Sequence, residues 1–252
     1  AYTAYNTSLT SPIIIAIIDT GVDWNHPDLK PSMWTNPGEI DNNGVDDDDN
    51  GYIDDYHGYN ILYGQDTPTD ATDTQKAEYT DPRPYDTVGH GSHVAGIAAA
   101  AVNNSSGIAG VSWVPKIMAV KIFDSSGEGT SSANIAEGIK YAVDQHAEAI
   151  NLSLGGAVAS QIEKDAIDYA NSLGCVVVAS SGNDGDAVVS YPAAFGNVIA
   201  VGASDKSDNR ASFSNYGSQL DVIAPGVDIY SSTSVFISTG AGFFYDQGPG
   251  YD

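Results

Sequence analysis

Short apolar runs alternate with helical patterns along most of this 252-residue chain. Residues 13–18 are all apolar, as expected of a strand that is buried on both faces in a parallel sheet. Further strands are predicted at 116–122, 149–154, 175–180 and 197–203, and helices at 90–102, 133–146 and 159–173. Because strands and helices alternate, the sequence predicts an α/β fold with a mostly parallel sheet.

The other segments favour a single domain. Residues 20–86 are rich in Asp, Asn, Gly and Pro, and they are predicted to form ordered loops and short elements. Within them, residues 64–86 have the composition of a surface insertion. No internal repeat or linker interrupts the pattern, so we predict one domain over residues 1–252.

The charge balance excludes several classes of partner. The chain has 33 Asp and Glu against 9 Lys and Arg, a formal net charge of −24. Nucleic acid and anionic membrane surfaces both require a basic surface, so neither is an expected partner. No run approaches the ~20 apolar residues of a membrane span, and no signal-peptide pattern is present. The one cysteine, Cys175, lies in an apolar run and is predicted to be a small buried hydrophobe.

A dense acidic segment, residues 41–55, indicates local cation binding. Its oxygen-bearing side chains alternate around a turn glycine, as at the start of an EF-hand loop, although the late Glu of that motif is absent. We predict a calcium site here; the alternative is a solvated acidic loop. The predicted ligands are Asp46, Asp48, Asn50 and Asp54, with Asp55 as the alternative to Asp54.

Two residues next to predicted sheet elements suggest acid–base chemistry, which α/β sheets place at the carboxyl ends of their strands. Asp19 ends the first strand, where a partly buried carboxylate must be paired and can orient an imidazole. His90 begins a predicted helix between two glycines, where it can act as a general base. Each signal is weak alone. Asp-Thr-Gly at 19–21 also occurs in aspartic proteases, which need two such carboxylates, and this sequence has one.

Six segments in order resemble the subtilisin-like serine proteases, the subtilases. The resemblance covers residues 11–231 and implies a three-layer α/β fold, with the sheet flanked by helices. The segments are IIIAIIDTGVDWNHPDL, GHGSHVAG, INLSLGG, ASSGNDG, YPAAFGNVIAVGA and FSNYGSQLDVIAPGVDI.

The resemblance implies a role for each residue of the catalytic machinery. Asp19 matches the triad aspartate, which orients the imidazole, and His90 matches the general base. Asn183 matches the oxyanion-hole asparagine, although alone it is a plausible turn former before Asp184. His93 matches a second histidine of the family that is structural.

The resemblance also implies where a polypeptide substrate binds. Gly127, Glu128 and Gly129 match the edge segment that pairs with the substrate backbone. Ser153, Leu154 and Gly155 match one wall of the S1 pocket, which receives the residue before the scissile bond, and Ser180 and Gly182 match the other. Asp184 at the pocket rim would favour a basic P1 residue, whereas Ser190 at the floor would shorten the pocket. The sequence does not rank these two effects.

Calcium is the expected cofactor, at one to three structural sites, and no organic cofactor is expected. The resemblance implies one site formed by the Asp28 side chain and the loop that contains Val102, Asn104, Ser106 and Ile108. It implies a weaker cation site at the carbonyls of Ala193, Phe195 and Val198 with Asp221. The acidic segment at 41–55 would be a third, separate site.

The nucleophile of the family is expected in a Gly-Thr-Ser segment that opens a helix shortly after Ala224-Pro225-Gly226. No such segment follows Val227, and Ser231, Ser232, Ser234 and Ser238 lack the glycine context. We therefore expect the nucleophile serine to be absent from the chain. On this view the chain is a subtilase domain that is incomplete at its C-terminus and at its N-terminus, and it does not hydrolyse peptides by itself.

Three functions follow from these observations. The first is a secreted, monomeric serine endopeptidase that acts on polypeptides and folds with the aid of a pro-segment. The second is a pseudoprotease or peptide-binding module on the same scaffold, which intact Asp19, His90 and Asn183 make less favourable. The third is a calcium-stabilised structural domain, which leaves GHGSHVAG at 89–96 unexplained.

Overall fold

One parallel sheet of seven strands organises the described part of the protein. The computed structural model describes residues 12–234 and the backbone of 245–246. The strands are β1 Ile14–Asp19, β2 Gly58–Asn60, β3 Lys116–Lys121, β4 Ala149–Leu152, β5 Val176–Ser180, β6 Ile199–Ser204, β7 Val222–Pro225, β8 Ser231–Ser232 and β9 Tyr245–Asp246. The order of strands in the sheet is β2-β3-β1-β4-β5-β6-β7. The helices are α1 Asp73–Glu78, α2 His90–Ala99, α3 Ser132–Asp144 and α4 Gln161–Ser172, with a 3₁₀ turn at Lys30–Ser32.

Strand β1 lies at the centre of the sheet and is buried on both faces, as its apolar run predicts. Its neighbours are β3, with Asp19 opposite Lys121, and β4. Ala16 and Ile18 contribute to the apolar cluster on one face, and Ile17 contributes to the cluster on the other. Both faces are therefore dry, as in other parallel sheets covered by helices.

The helices divide between the two faces of the sheet. Helix α2 places Ala95 and Ala99 in one cluster, where small side chains allow the helix to approach β1 and β3 closely. Helices α3 and α4 cover the other face with an apolar stripe that includes Ile135, Ile139 and Ile167. This arrangement confirms the three-layer α/β fold.

The predicted elements agree with the structure to within three residues at their ends, but short elements were missed. Strand β2 has three residues and lies in a segment that was predicted to be loop. The expected insertion, 64–86, contains α1 and two buried acids, Glu78 and Asp86, so its second half is part of the packed domain. Cys175 is buried, as predicted. None of the helices in the described part of the chain is long and apolar enough to cross a membrane.

Candidate active site

The carboxyl end of β1 and the first turn of α2 meet because two glycines allow the backbones to touch. A Cβ atom on Gly91 would lie 2.0 Å from the carbonyl oxygen of Gly21. Gly21 itself has a φ of +105°, a conformation that side chains disfavour. This close approach brings the first residue of α2, His90, against the last residue of β1, Asp19.

Asp19 and His90 form the hydrogen-bonded pair that the sequence predicts. The Nδ1 atom of His90 lies 2.6 Å from Oδ1 of Asp19, and the same oxygen accepts the backbone N–H of Thr20 at 2.7 Å. The Asp19 carboxylate is buried, whereas the His90 side chain is 29% exposed. With Nδ1 held by the carboxylate, Nε2 is the nitrogen through which His90 can exchange a proton with a substrate or nucleophile.

The environment of His90 raises its pKa. Burial alone lowers the pKa, because it disfavours the imidazolium. The hydrogen bond to Asp19 and its charge, with a further contribution from Asp86, outweigh that penalty. The imidazolium is thus stabilised, as a general base requires once it has accepted a proton.

Asp86, which the sequence analysis missed, holds this corner together. Its Oδ1 accepts the hydroxyl of Thr20 at 2.9 Å and the N–H of Gly89 at 2.7 Å. Its Oδ2 accepts the N–H of Ser92 at 2.9 Å, at the start of α2. The Thr20 hydroxyl in turn accepts the N–H of Gly91 at 2.9 Å. The position of Asp86, four residues before the His90 helix, is the signal that could have identified it.

A buried ion pair supports the same corner from the side of the expected insertion. The Nζ atom of Lys121 donates to the carbonyl oxygen of Thr20 at 2.8 Å and lies 3.1 Å from Oε1 of Glu78. The other carboxylate oxygen of Glu78 accepts the N–H of Ser125 at 2.8 Å. Helix α1 therefore connects the residue after Asp19 with the segment that leads to Gly127.

A cavity of about 680 Å³ opens beside His90, and half of the predicted substrate residues line it. Asn183 lies on it together with Asp19 and His90, as expected of an oxyanion-hole residue. Gly127 and Gly129 line one side, and Ser153, Leu154 and Gly155 line another. The arrangement leaves a cleft between two backbone segments, into which an extended peptide can be laid.

The remaining predicted substrate residues lie around this cavity. The Ser180 hydroxyl donates to the Leu154 carbonyl, and Gly182 accepts the N–H of Asn215. Ser190 lies against Gly155 and beside Asn215. The Asp184 carboxylate is exposed and accepts the side-chain amide of Asn215, while Glu128 is an exposed loop residue.

The serines of the edge segment have structural partners. The sequence Gly129-Thr130-Ser131 contains the letters of the family's nucleophile motif, but it begins in the segment expected to form the substrate edge and does not follow Ala224-Pro225-Gly226. The hydroxyl of Ser131 accepts the backbone N–H of Asn134 at 3.1 Å and so caps α3. Ser131 is therefore assigned as a helix cap.

The first predicted calcium site is assembled around Asp28. This buried carboxylate accepts the side-chain amide of Asn104 at 2.5 Å and the N–H of Ile108 at 2.8 Å. The side-chain Oδ1 atom of Asn104 accepts the N–H of Ser106, in the loop that begins at Val102. Asp28 thus lies against the loop with which it was predicted to bind calcium.

The second predicted cation site is less closely assembled. Phe195 accepts the N–H of Val198 in a turn that follows Ala193. The exposed Asp221 carboxylate accepts the N–H of Ala200 at 2.9 Å, two residues beyond Val198. These contacts place Asp221 near the turn but do not define a cage of oxygen atoms.

The structure brings two of the predicted ligands of the acidic segment, Asp46 and Asp48, together with Glu39, which was not predicted. Glu39, Asp46 and Asp48 each place one carboxylate oxygen within 4.8 Å of the others. Asp54 accepts the N–H groups of Asn43 and Gly44 instead, and Asn50 accepts the N–H of Tyr52.

Glu39 was missed because it precedes the acidic segment. Its side chain is buried; Oε1 accepts the N–H of Asp47, and the buried Oε2 has no hydrogen-bond partner. Burial raises the pKa of Glu39. Glu39 is thus a further carboxylate of this cluster, and its position two residues before Asp41 is the signal in the sequence.

Comparison with known proteins assigns the class. The sequence model of the subtilase family matches residues 10–247, and the chain belongs to this family of serine endopeptidases. Over 226 residues it is 42% identical to thermitase from Thermoactinomyces vulgaris, covering 89% of the chain and 67% of thermitase. It is 43% identical over 218 residues to a thermophilic serine proteinase from Bacillus sp. (strain AK1), covering 86% of the chain and 45% of that protein. Subtilisin Savinase from Lederbergia lenta is 38% identical over 232 residues, which cover 91% of the chain and 70% of Savinase.

Proposed function

We propose that the complete protein is a serine endopeptidase that hydrolyses peptide bonds within polypeptides. The observation that carries the proposal is the 2.6 Å contact between Asp19 and His90 beside a cavity that also contains Asn183. This geometry fits acyl transfer, in which a base activates a serine and amide donors stabilise the oxyanion.

Each of these residues has a separate role in the proposed reaction. Asp19 orients His90 through Nδ1, so Nε2 accepts the proton of the nucleophile and later donates it to the leaving amine. The amide of Asn183 donates to the oxyanion as it develops. Gly127 to Gly129 and Ser153 to Gly155 hold the peptide as an added strand, with its P1 side chain directed toward Ser190.

The same proposal assigns no nucleophile to the 252 residues themselves, because no Gly-Thr-Ser follows Ala224-Pro225-Gly226. We propose further that the complete protein is exported, is monomeric and folds with a pro-segment. The acidic composition is compatible with an extracellular setting.

Serine-directed labelling tests the endopeptidase proposal. The complete protein from its source, treated with a fluorophosphonate probe, is expected to gain one adduct by intact mass, and the recombinant 252-residue chain is expected to gain none. Prior denaturation of the complete protein is the control and should abolish labelling. An unlabelled native protein would overturn the proposal and favour a peptide-binding pseudoprotease, whereas labelling of the 252-residue chain would place the nucleophile within it.

We also propose that calcium binds at Asp28 and at the cluster of Glu39, Asp46 and Asp48. Calcium takes oxygen ligands at about 2.3–2.6 Å, so ligand oxygens around one ion lie within about 5 Å of each other. One carboxylate oxygen from each of the three residues lies close enough to the others to reach a single ion. The Oε2 atom of Glu39 is buried and has no hydrogen-bond partner, and a bound cation would compensate the cost of burying it.

Replacing Glu39 by Gln is expected to weaken calcium binding at the cluster by about ten-fold or more, because it removes a charged ligand from a site tuned by charge. Asp49→Asn is the matched control. It removes one charge from an exposed residue of the same loop, and its φ of 58° is one that Asn tolerates. Calorimetric calcium titration of both variants measures the effect. Equal losses of calcium affinity in the two variants would show that binding depends only on the overall charge of the loop, and would contradict the site.

A further inference from the structure

A buried carboxylate forms part of the wall of the substrate cavity. Glu163, in the first turn of α4, is 6% exposed and lines the same cavity as His90 and Asn183. It lies among the substrate-binding segments, since Thr130 and Leu154 line this cavity as well. The family resemblance did not single it out, because its position suggests an ordinary helix-start acid.

Within the part of the chain that the structure describes, no lysine or arginine is paired with this carboxylate. None of the ion pairs within the described residues includes Glu163, and no lysine or arginine lines the cavity. The start of α4 has no side-chain capping bond, so Glu163 is not part of a capping box. Since a buried charge is costly without a partner, this site is suited to a cation that arrives with a ligand.

We propose that Glu163 determines specificity by binding a lysine or arginine side chain of the polypeptide substrate, on the acyl side of the scissile bond. This proposal rests on the proposed endopeptidase function and adds a substrate class to it. The acyl side is inferred because Glu163 shares the cavity with Gly127 and Gly129, the segment expected to bind that part of the peptide backbone.

The rest of the cavity wall suits the stem of such a side chain. Leu154, Ile135 and Val158 supply apolar surface to the same cavity. Lysine and arginine bury their methylene stems on apolar surface and keep the charged end at a polar group. A net charge of −24 also attracts cationic peptides toward the cleft and raises the rate of encounter.

The simpler role of Glu163 is to stabilise the helix. A carboxylate in the first turn of a helix interacts favourably with the helix dipole. That role predicts a small change in stability on substitution and no change in substrate preference. A measurement of substrate preference therefore distinguishes the two roles, whereas a measurement of stability does not.

The test compares peptide substrates that carry either lysine or norleucine, an uncharged side chain of similar length, at each of four acyl-side positions. For the complete protein, the ratio of kcat/KM for lysine to norleucine is expected to reach about ten-fold to a hundred-fold at one position, as for a hydrogen bond to a charged group. Glu163→Gln is expected to bring that ratio close to one, and Glu163→Lys is expected to favour glutamate there. A ratio that Glu163→Gln leaves unchanged, or no preference at any position, overturns the proposal.

Asp165→Asn is the matched control. Asp165 lies two residues further on the same helix, is exposed and accepts a hydrogen bond from Gln161, so the substitution removes the same charge outside the cavity. It is expected to retain the lysine preference. If it loses the preference as Glu163→Gln does, the effect belongs to the overall charge and the proposal fails.

Calorimetric binding of the same peptides to the 252-residue chain separates this proposal from the proposed function. The cation site is supported, even without hydrolysis, if the chain binds the lysine peptide selectively and Glu163→Gln abolishes that selectivity. Hydrolysis by the complete protein with no lysine selectivity in either assay leaves the endopeptidase function standing and removes the specificity proposal.

Discussion

Replacing Asp19 by Asn lowers kcat of the complete protein by about four orders of magnitude, the loss typical of removing this carboxylate from a triad. An amide cannot stabilise the imidazolium, and it can hold the ring in the wrong tautomer. In the structure, Oδ1 of Asp19 is the atom that meets His90 Nδ1 at 2.6 Å. The substitution changes the charge at that contact with little change in size.

The same substitution also lowers the pKa of His90. The hydrogen bond and charge of Asp19 raise that pKa against burial, so removing them leaves burial opposed only by the charge of Asp86. Below this pKa His90 is protonated and cannot act as a base. The fall of kcat/KM at acid pH therefore moves to lower pH in the variant. NMR titration of the His90 ring in the 252-residue chain measures the shift without catalysis. An unshifted titration would contradict the assigned pairing, and Asp66→Asn, in an exposed loop, is the control.

Replacing Glu78 by Gln destabilises the protein by about 3–5 kcal/mol, because it leaves the Lys121 ammonium buried without a countercharge. Lys121 is 1% exposed and Glu78 is 7% exposed, so water does not compensate either group. Urea unfolding of the 252-residue chain measures the loss as a lower midpoint with a similar slope.

The double variant Glu78→Gln/Lys121→Met recovers most of this loss, since removing both charges of a buried pair is often nearly neutral. The double-mutant cycle thus yields a large coupling energy. Asp73→Asn is the control on the same helix, because Asp73 pairs with Lys76 at the surface, where such pairs contribute little. Additive effects of the two buried substitutions would show that the pair is not energetically coupled.

The sequence predicts the parts of this protein that depend on local pattern. The apolar run of β1 and the helical periodicity of α3 are long enough to be unambiguous, and both are present. Strand β2 was missed because three residues carry no period, and its formation depends on pairing with β3. The fold class and most element positions were therefore predictable from residues close together in the chain.

The candidate site was predictable only where a motif of the family marks it. Asp19 and His90 were identified because each lies in a recognisable segment, and Asp86 was missed because its partners are distributed around it in space. Glu39 and Glu163 were missed for the same reason. Their importance lies in burial and in the absence of a countercharge, and neither property can be inferred from adjacent residues.

The position of β1 between two later strands has a consequence for the timing of activity during synthesis. Asp19 and His90 are 71 residues apart, and the lysine that holds the Thr20 carbonyl lies 101 residues beyond it. The other neighbour of β1, strand β4, begins only at Ala149. Contacts of this range form late and slowly. Both neighbours of β1 are therefore in place only after synthesis has passed Leu152, so the catalytic corner is assembled late in the synthesis of this domain.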